Sequence, residues 1–215
     1  MDKANIIVKF LEKRYGDYIR KTPSRNIFRT LIGTILSHRT KDEVTWPASE
    51  RLFKKFKNPK DMLKLSRKEI EKIIYPVGFY REKAKKILKV SKILLEKYNG
   101  KVPKTREELM ELPGVGYKTA DIVLMYGFGK PAIAIDTHCN RVSKRIGLAS
   151  LKDNVEEVRK KLESIFPKNK WYLINSGFVL FGKDICQPRK PKCSLCSFKG
   201  FCRAYRIKRF DAKPF

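Results

Sequence analysis

Apolar residues recur at three- and four-residue intervals along most of the chain, which is the period of an α-helix. The clearest example is one face formed by Ala84, Ile87, Leu88, Ser91, Leu94, Leu95 and Tyr98. No segment shows the convincing alternation of apolar and polar residues that a half-buried strand would need. The pattern therefore predicts an all-α fold.

Helix starts are marked by a polar capping residue followed three positions later by glutamate, the pattern of a capping box. Three such pairs occur: Ser66 with Glu69, Thr105 with Glu108 and, as a weaker variant, Asn154 with Glu157. Each pair stands just before an apolar-periodic segment, so each predicts the first turn of a helix.

Charge changes the interpretation of this helical chain. Lys plus Arg number 50 against 22 Asp plus Glu, which gives a formal net charge of +28. Such an excess indicates a polyanionic partner, and nucleic acid fits best, although a basic membrane-surface or ribosomal-type protein stays open. The amino-terminal residues lack a secretory signal and no segment reaches the length of a membrane span, so we expect a cytoplasmic protein.

Residues 109–127 predict two short helices joined by the turn Leu-Pro-Gly-Val-Gly. Gly114 and Gly116 allow the backbone to approach another surface, and the free amides of the second helix suit a phosphate oxygen. Gly-Val-Gly alone is more typical of a plain turn, but the net charge favours a phosphate contact.

Lys118 stands where the second helix begins, in a turn that favours acidic residues. The positive end of a helix destabilises the ammonium form, and a neutral amine is a nucleophile suited to Schiff-base chemistry. Taken alone, a lysine in a basic protein is more often a solvated charge or a phosphate contact.

Asp136 follows a short apolar run and precedes a helix that includes Arg141 and Val142, so it is a candidate N-cap. If the fold brought it near Lys118, its carboxylate could also stabilise positive charge that develops on a sugar. His138 is expected to be structural.

Four cysteines, Cys186, Cys193, Cys196 and Cys202, follow the pattern Cys-x6-Cys-x2-Cys-x5-Cys. Four thiolates in one short loop can hold zinc or a cubane iron-sulfur cluster, and the single Cys-x-x-Cys favours the cluster. Cys139 stands apart and is expected to be a small buried residue. The intervening loop offers Arg189, Lys190 and Lys192 to DNA phosphates.

These three features together resemble the endonuclease III family of DNA glycosylases with abasic-site lyase activity. Leu-Pro-Gly-Val-Gly-Tyr-Lys-Thr-Ala-Asp is similar to the family's helix-hairpin-helix, Ile-Asp-Thr-His is similar to its catalytic-aspartate segment, and the cysteine spacing equals its cluster motif. The resemblance covers almost the whole chain. It implies a two-domain, all-α molecule with a DNA cleft: a six-helix barrel over residues 20–130, and a [4Fe-4S] domain over 1–19 and 131–215.

The resemblance also implies roles for particular residues. Lys118 would be the nucleophile, Asp136 the catalytic carboxylate, and the four cysteines named above the ligands of the [4Fe-4S] cluster. Arg39 aligns with a family loop that commonly offers glutamine, and Phe79 with a loop that inserts an apolar side chain into DNA. The alternatives for these two residues are a phosphate contact and a core position.

The implied function is base excision repair of double-stranded DNA by a monomer at the nucleoid. Oxidised pyrimidines such as thymine glycol would be removed, and abasic sites cleaved by β-elimination through a lysine Schiff base. The alternatives are a mismatch-specific or 8-oxoguanine glycosylase of the same superfamily, or a non-catalytic DNA-binding module. The lysine at position 118 argues against a mismatch enzyme, and the cysteine cluster against an 8-oxoguanine enzyme.

Overall fold

A computed structural model describes residues 2–20 and 26–208, which form helices and turns without a strand. The α-helices are α1 (Lys3–Arg20), α2 (Ile27–Ser37), α3 (Asp42–Phe53), α4 (Pro59–Met62), α5 (Arg67–Ile74), α6 (Tyr80–Tyr98), α7 (Arg106–Met110), α8 (Tyr117–Ile122), α9 (Thr137–Ile146), α10 (Val155–Ile165), α11 (Trp171–Asp184) and α12 (Arg203–Arg206). The prediction of an all-α fold is confirmed. No helix within the described ranges is both long and apolar enough to cross a bilayer.

Two compact units divide the chain, and we call them the continuous unit (residues 24–130) and the split unit (residues 1–23 and 131–215). In the continuous unit α2 is the central helix, with Leu31, Ile32, Ile35 and Leu36 all buried. It packs against α3, α6, α8 and the π-helical turn Val123–Gly127 that continues α8. A mostly apolar helix is stable at such a position because neighbours cover most of its surface.

The split unit is built around α11, which packs against α1 and α9. Its core is rich in aromatic residues, and Phe166, Phe178, Phe181 and Phe198 are fully buried. Edge-on and tilted ring contacts join these side chains, with centroids 4.9 Å apart between Phe181 and Phe198. Because Phe198 lies between two of the cysteines, this core anchors the cysteine segment.

The predicted capping boxes form to different extents. The pair at Ser66 is complete, and so is the pair predicted to be weaker, in which Asn154 and Glu157 each accept the other's backbone N–H at 3.0 and 2.6 Å. At Thr105 only half of the box forms, because the Thr105 hydroxyl donates to the Glu108 carboxylate at 2.6 Å. Asparagine caps helices as well as serine does, which explains the complete box at Asn154.

Candidate active site

The hairpin between α7 and α8 depends on a glycine. Gly114 has φ +83°, a left-handed value that favours glycine, and a Cβ there would lie 3.1 Å from Cδ of Lys86. The Lys86 alkyl chain therefore packs against the turn. A Cβ at Gly116, the N-cap of α8, would meet no heavy atom within 4 Å. The Gly116 side of the turn is thus open to an incoming group.

Lys118 lies in the first turn of α8 with an exposed side chain. Among the residues that the structure describes, none forms a hydrogen bond or ion pair with its amine. The buried Asp121, one turn further along α8, is instead paired with Arg106, whose Nε donates to Oδ1 at 2.9 Å. Asp121 is thereby neutralised from elsewhere, and the Lys118 amine stays available for a ligand.

His38 connects the end of α2 to α8. Its Nε2 lies 2.8 Å from Oγ1 of Thr119, the residue next to Lys118. Burial lowers the pKa of His38, and the positive charges of Lys118, Lys83 and Lys86 lower it further. His38 is therefore a neutral hydrogen-bonding partner in a strongly basic environment.

Lys83 lies on the buried side of α6 and is only 5% exposed. Its Nζ donates to the carbonyl oxygens of Leu36 and His38, at 2.7 and 2.5 Å, and to Oγ1 of Thr40 at 2.9 Å. Burial lowers the pKa of Lys83 to about 8. Sequence reasoning missed both His38 and Lys83; a charged residue within the buried face of a helix is the signal that could have found Lys83.

The structure brings together the two residues for which insertion into DNA was predicted. Arg39 and Phe79 both adopt left-handed backbone conformations, with φ 50° and 57°. Both side chains are exposed, and the Arg39 guanidinium lies 5.2 Å from the centroid of the Phe79 ring. Phe79 is 61% exposed, so the alternative that it is a core residue is wrong. The pair presents an exposed cation–π contact to solvent.

Asp136 is the N-cap of α9, as predicted. Its Oδ1 accepts a hydrogen bond from the backbone N–H of Cys139 at 2.7 Å, and the side chain is half-buried behind the apolar run 132–135. The second carboxylate oxygen accepts no hydrogen bond from any residue in the described ranges. It can face a ligand while the first oxygen holds the helix. Asp136 belongs to the split unit and Lys118 to the continuous unit.

The four cysteines of the predicted cluster interact with one another. Burial and, to a smaller extent, the nearby thiols of Cys186, Cys202 and Cys193 together raise the pKa of the Cys196 thiol to about 11. The pKa values of Cys193 and Cys202 are raised by the same two causes. No three His, Cys, Asp or Glu side chains within residues 2–20 and 26–208 are arranged to hold a single metal ion. Cys139 is fully buried, as expected.

Arg145 binds this segment from α9. Its NH1 lies 3.7 Å from Sγ of Cys186 and donates to the carbonyl of Gln187 at 2.7 Å, while its NH2 donates to the carbonyl of Pro188 at 2.6 Å. The thiol of Cys202 donates to the Arg145 carbonyl at 3.3 Å. One buried arginine therefore contacts the first and last cysteines. It also fixes the start of residues 187–192, which we call the basic loop.

The basic loop presents two of its three predicted DNA contacts freely. Arg189 and Lys190 are exposed and line a surface pocket of about 540 Å³ together with His138. His138 is held by Arg141, whose NH2 lies 3.1 Å from its Nδ1, in agreement with a structural role. Nζ of Lys192 lies 4.0 Å from Oδ1 of Asp184, and this carboxylate partly offsets the positive charge of Lys192.

The fold and these sites define a class of protein. Residues 32–168 match the HhH-GPD superfamily of base excision DNA repair proteins. This match contains the hairpin, Lys118 and Asp136.

Individual proteins narrow the class. The chain is 45% identical to endonuclease III of Thermotoga maritima, over 83% of this chain and 84% of the relative, and 42% identical to endonuclease III of Bacillus subtilis, over 83% and 81%. A solved structure of a trapped covalent intermediate between endonuclease III and DNA superimposes with a TM-score of 0.87 at 39% identity, covering 95% of this chain and 96% of that one. The chain belongs to the endonuclease III family. It is a DNA glycosylase and abasic-site lyase of base excision repair.

Proposed function

We propose that this glycosylase removes oxidised pyrimidines of the thymine glycol type and cleaves the strand by β-elimination through a Schiff base on Lys118. The observation that carries the proposal is the exposed, unpaired amine at the start of α8, directly after an open glycine turn. The similar endonuclease III structure contains a trapped covalent intermediate with DNA, which supports covalent chemistry for this family.

The hairpin holds the DNA backbone in this proposal. Amides at Gly114, Gly116 and the start of α8 donate to a phosphate, which places a flipped nucleotide near Lys118. The unprotonated amine attacks C1′, and the damaged base leaves with one of the amine protons. The nitrogen lone pair then forms the C=N bond as the C1′–O4′ bond breaks, and the remaining N–H proton passes to O4′, which gives a ring-opened imine. Loss of a proton from C2′ then expels the 3′ phosphate and breaks the strand.

Asp136 assists departure of the base. Positive charge grows on the sugar as the bond to the base breaks, and a nearby carboxylate stabilises that charge. The second oxygen of Asp136, which accepts no hydrogen bond in the described part of the chain, is the group that performs this role. The first oxygen keeps α9 capped throughout.

Arg39 and Phe79 fill the gap that the flipped nucleotide leaves. Flipping costs a few kcal/mol of stacking and pairing, and a side chain that takes the place of the base recovers part of it. The exposed contact between a guanidinium and an aromatic ring suits this role. Arg189, Lys190 and Lys192 contact phosphates of the same duplex.

Borohydride reduction tests the proposal on the intact protein. A duplex with one abasic site is expected to become covalently attached to the enzyme, because borohydride converts the imine into a stable amine. A panel of duplexes, each with one lesion, then ranks the damaged bases. Binding without any covalent adduct would instead identify a non-catalytic DNA-binding module or a glycosylase without lyase activity.

We propose further that Cys186, Cys193, Cys196 and Cys202 hold a [4Fe-4S] cluster. The donor set fits: four thiols interact with one another, and Arg145 supplies positive charge beside the Cys186 sulfur, which offsets the negative charge of thiolate ligands. A cubane is larger than one ion, so it requires no arrangement around a single point. The cluster would serve as a structural crosslink that shapes the basic loop.

Metal analysis separates iron from zinc. We expect purified protein to be brown, with broad absorbance near roughly 400 nm and about four iron atoms per chain. Cys196→Ala should lose most of the iron, whereas Cys139→Ala, which removes a cysteine outside the predicted ligand set, should keep it. Colourless protein with stoichiometric zinc would contradict the cluster.

The remaining assignments complete the proposal. Residues 20–130 form the six-helix barrel domain, and residues 1–19 with 131–215 form the cluster domain. The protein acts as a monomer in the cytoplasm, on double-stranded DNA of the nucleoid. Size-exclusion chromatography with light scattering checks the oligomeric state.

A further inference from the structure

The loops that carry Arg39 and Phe79 meet at the hydroxyl of Thr40. Its Oγ1 accepts hydrogen bonds from Nζ of Lys83 at 2.9 Å and from the backbone N–H of Gly78 at 3.2 Å. The same hydroxyl donates to the His38 carbonyl at 3.2 Å. A threonine hydroxyl has one donor and two acceptor sites, so this junction uses all of them.

The two loops are as close as glycine allows. A Cβ at Gly78 would lie 3.0 Å from the Arg39 carbonyl oxygen and 3.1 Å from Oγ1 of Thr40. Real Cβ atoms rarely have neighbours that close. Glycine at position 78 therefore sets the separation between the two loops, independently of any charge.

Lys83 binds this junction through Thr40 and connects it to α8 through His38. Besides Thr40, its ammonium group binds the carbonyls of Leu36 and His38. The His38 ring in turn binds Thr119, adjacent to Lys118. A single buried ammonium thus fixes the loop of Arg39 directly, the loop of Phe79 through Thr40, and α8 through His38.

Burial of the Lys83 ammonium has a free-energy cost that an apolar core residue would not have. An ammonium group at 5% exposure has lost most of its hydration, and three acceptors are needed to compensate. Arg39 and Phe79 hold left-handed backbone conformations that non-glycine residues keep only when their surroundings impose them. The Lys83 ammonium and the loops of Arg39 and Phe79 lie in one hydrogen-bond network. The desolvation of the ammonium and the backbone strain of the loops are therefore tolerated together.

We propose that Lys83 is a positioning residue that sets the Arg39–Phe79 pair relative to the helix of Lys118, so that DNA insertion and amine attack address the same nucleotide. The inference deepens the proposed function and rests on it. Lys83 does not touch the reacting atoms. It controls how well the enzyme acts on duplex DNA, where a nucleotide must be flipped, and has little effect where no flipping is needed.

Two substrates distinguish a positioning effect from a general loss of enzyme activity. One is a duplex with one thymine glycol, and the other is single-stranded DNA with one abasic site. Lys83→Met keeps an unbranched side chain, one atom shorter than that of lysine, but removes its three donors. We expect excision from the duplex to fall about 10- to 100-fold, because a misplacement near 1 Å has that order of effect. Borohydride trapping on the single strand should stay within about 2-fold of wild type. Lys85→Met, an exposed lysine on the same helix, is the matched control and should change neither.

Gly78→Ala provides an independent variant, because it separates the loops without removing any charge. It should show the same split between the two substrates, and it decides the question if Lys83→Met fails to fold in a thermal unfolding measurement. An equal loss on both substrates, or unchanged duplex excision in a folded variant, would overturn the positioning role. Failure of the wild type to trap an abasic site in both the duplex and the single strand would overturn the proposed function instead.

Discussion

Lys118→Gln is expected to abolish borohydride trapping on abasic DNA and to reduce strand cleavage by about 10³-fold or more, the order of effect seen when a covalent nucleophile is removed. The amide of glutamine has no basic lone pair, so no imine can form. Denaturing gel electrophoresis of the reduced reaction measures the adduct directly, and a cleavage time course on the same duplex gives the rate.

The substitution should leave the fold intact. The Lys118 side chain is exposed and has no partner among the described residues, so its loss changes stability by less than about 0.5 kcal/mol. Removal of a positive charge from the first turn of α8 is slightly favourable for stability. Thermal unfolding of the variant and the wild type should therefore coincide.

Lys118→Arg is the matched control for charge. Arginine keeps the positive charge that favours DNA binding, but its guanidinium stays protonated and cannot act as a nucleophile. Both variants should lose trapping, while only the glutamine variant should bind DNA more weakly. Trapping that persists in either variant would show that another amine forms the intermediate, and peptide mapping of the adduct would identify it.

The fold could be predicted because its signals are local. The apolar face of α6 follows the helical period from Ala84 to Leu94, and the cap at Asn154 depends on residues three positions apart. Such short-range patterns survive without knowledge of what packs against them. The continuation of α8 into a π-helical turn at Val123–Gly127 was not predicted, because one extra residue in a helical turn leaves the apolar pattern nearly unchanged.

The chemistry of the site was predictable where one residue stands out from its local setting. Lys118 was noticed because a helix start disfavours it, and the four cysteines because of their spacing. Lys83 and His38 were missed because their importance depends on tertiary contacts: both bind backbone or side-chain groups of other segments. Only the position of a lysine beside Ala84 on the buried face of α6 hinted at one of them.

The contact between Arg39 and Phe79 lay beyond any sequence pattern. The two residues come from separate loops, and they meet because Thr40 and Gly78 bring those loops together. The sequence predicted that each residue either inserts into DNA or has a simpler role, a phosphate contact for Arg39 and a core position for Phe79. The sequence could not show that they form one cation–π pair, since that depends on the closeness of two loops forty positions apart.

Asp136→Asn is expected to reduce excision of a damaged base by about 10²- to 10³-fold, the order of effect of losing an electrostatic contact to the transition state. Asparagine has nearly the shape of aspartate but no charge, so the growing positive charge on the sugar loses its partner. Release of the free base from a duplex with one thymine glycol measures this step, separately from strand cleavage.

Asp136→Asn should remove the charge of the side chain while keeping its role as the N-cap of α9. The amide side chain that replaces the Asp136 carboxylate still has an oxygen that can accept from the Cys139 N–H, and asparagine caps helices as well as aspartate does. Stability should therefore change little. Asp136→Ala removes the cap as well as the charge and should cost about 1 kcal/mol of stability in addition to the loss of excision. Comparison of the two variants separates the structural oxygen from the catalytic one.

A preformed abasic site provides the decisive contrast between the two catalytic assignments. No base has to leave such a site, so the Asp136→Asn variant should still trap it, with a loss far smaller than that for base excision. The lysine variants should fail on both substrates. If Asp136→Asn excised thymine glycol at the rate of the wild type, the carboxylate would be a helix cap alone, and the charge on the sugar would be stabilised by another group.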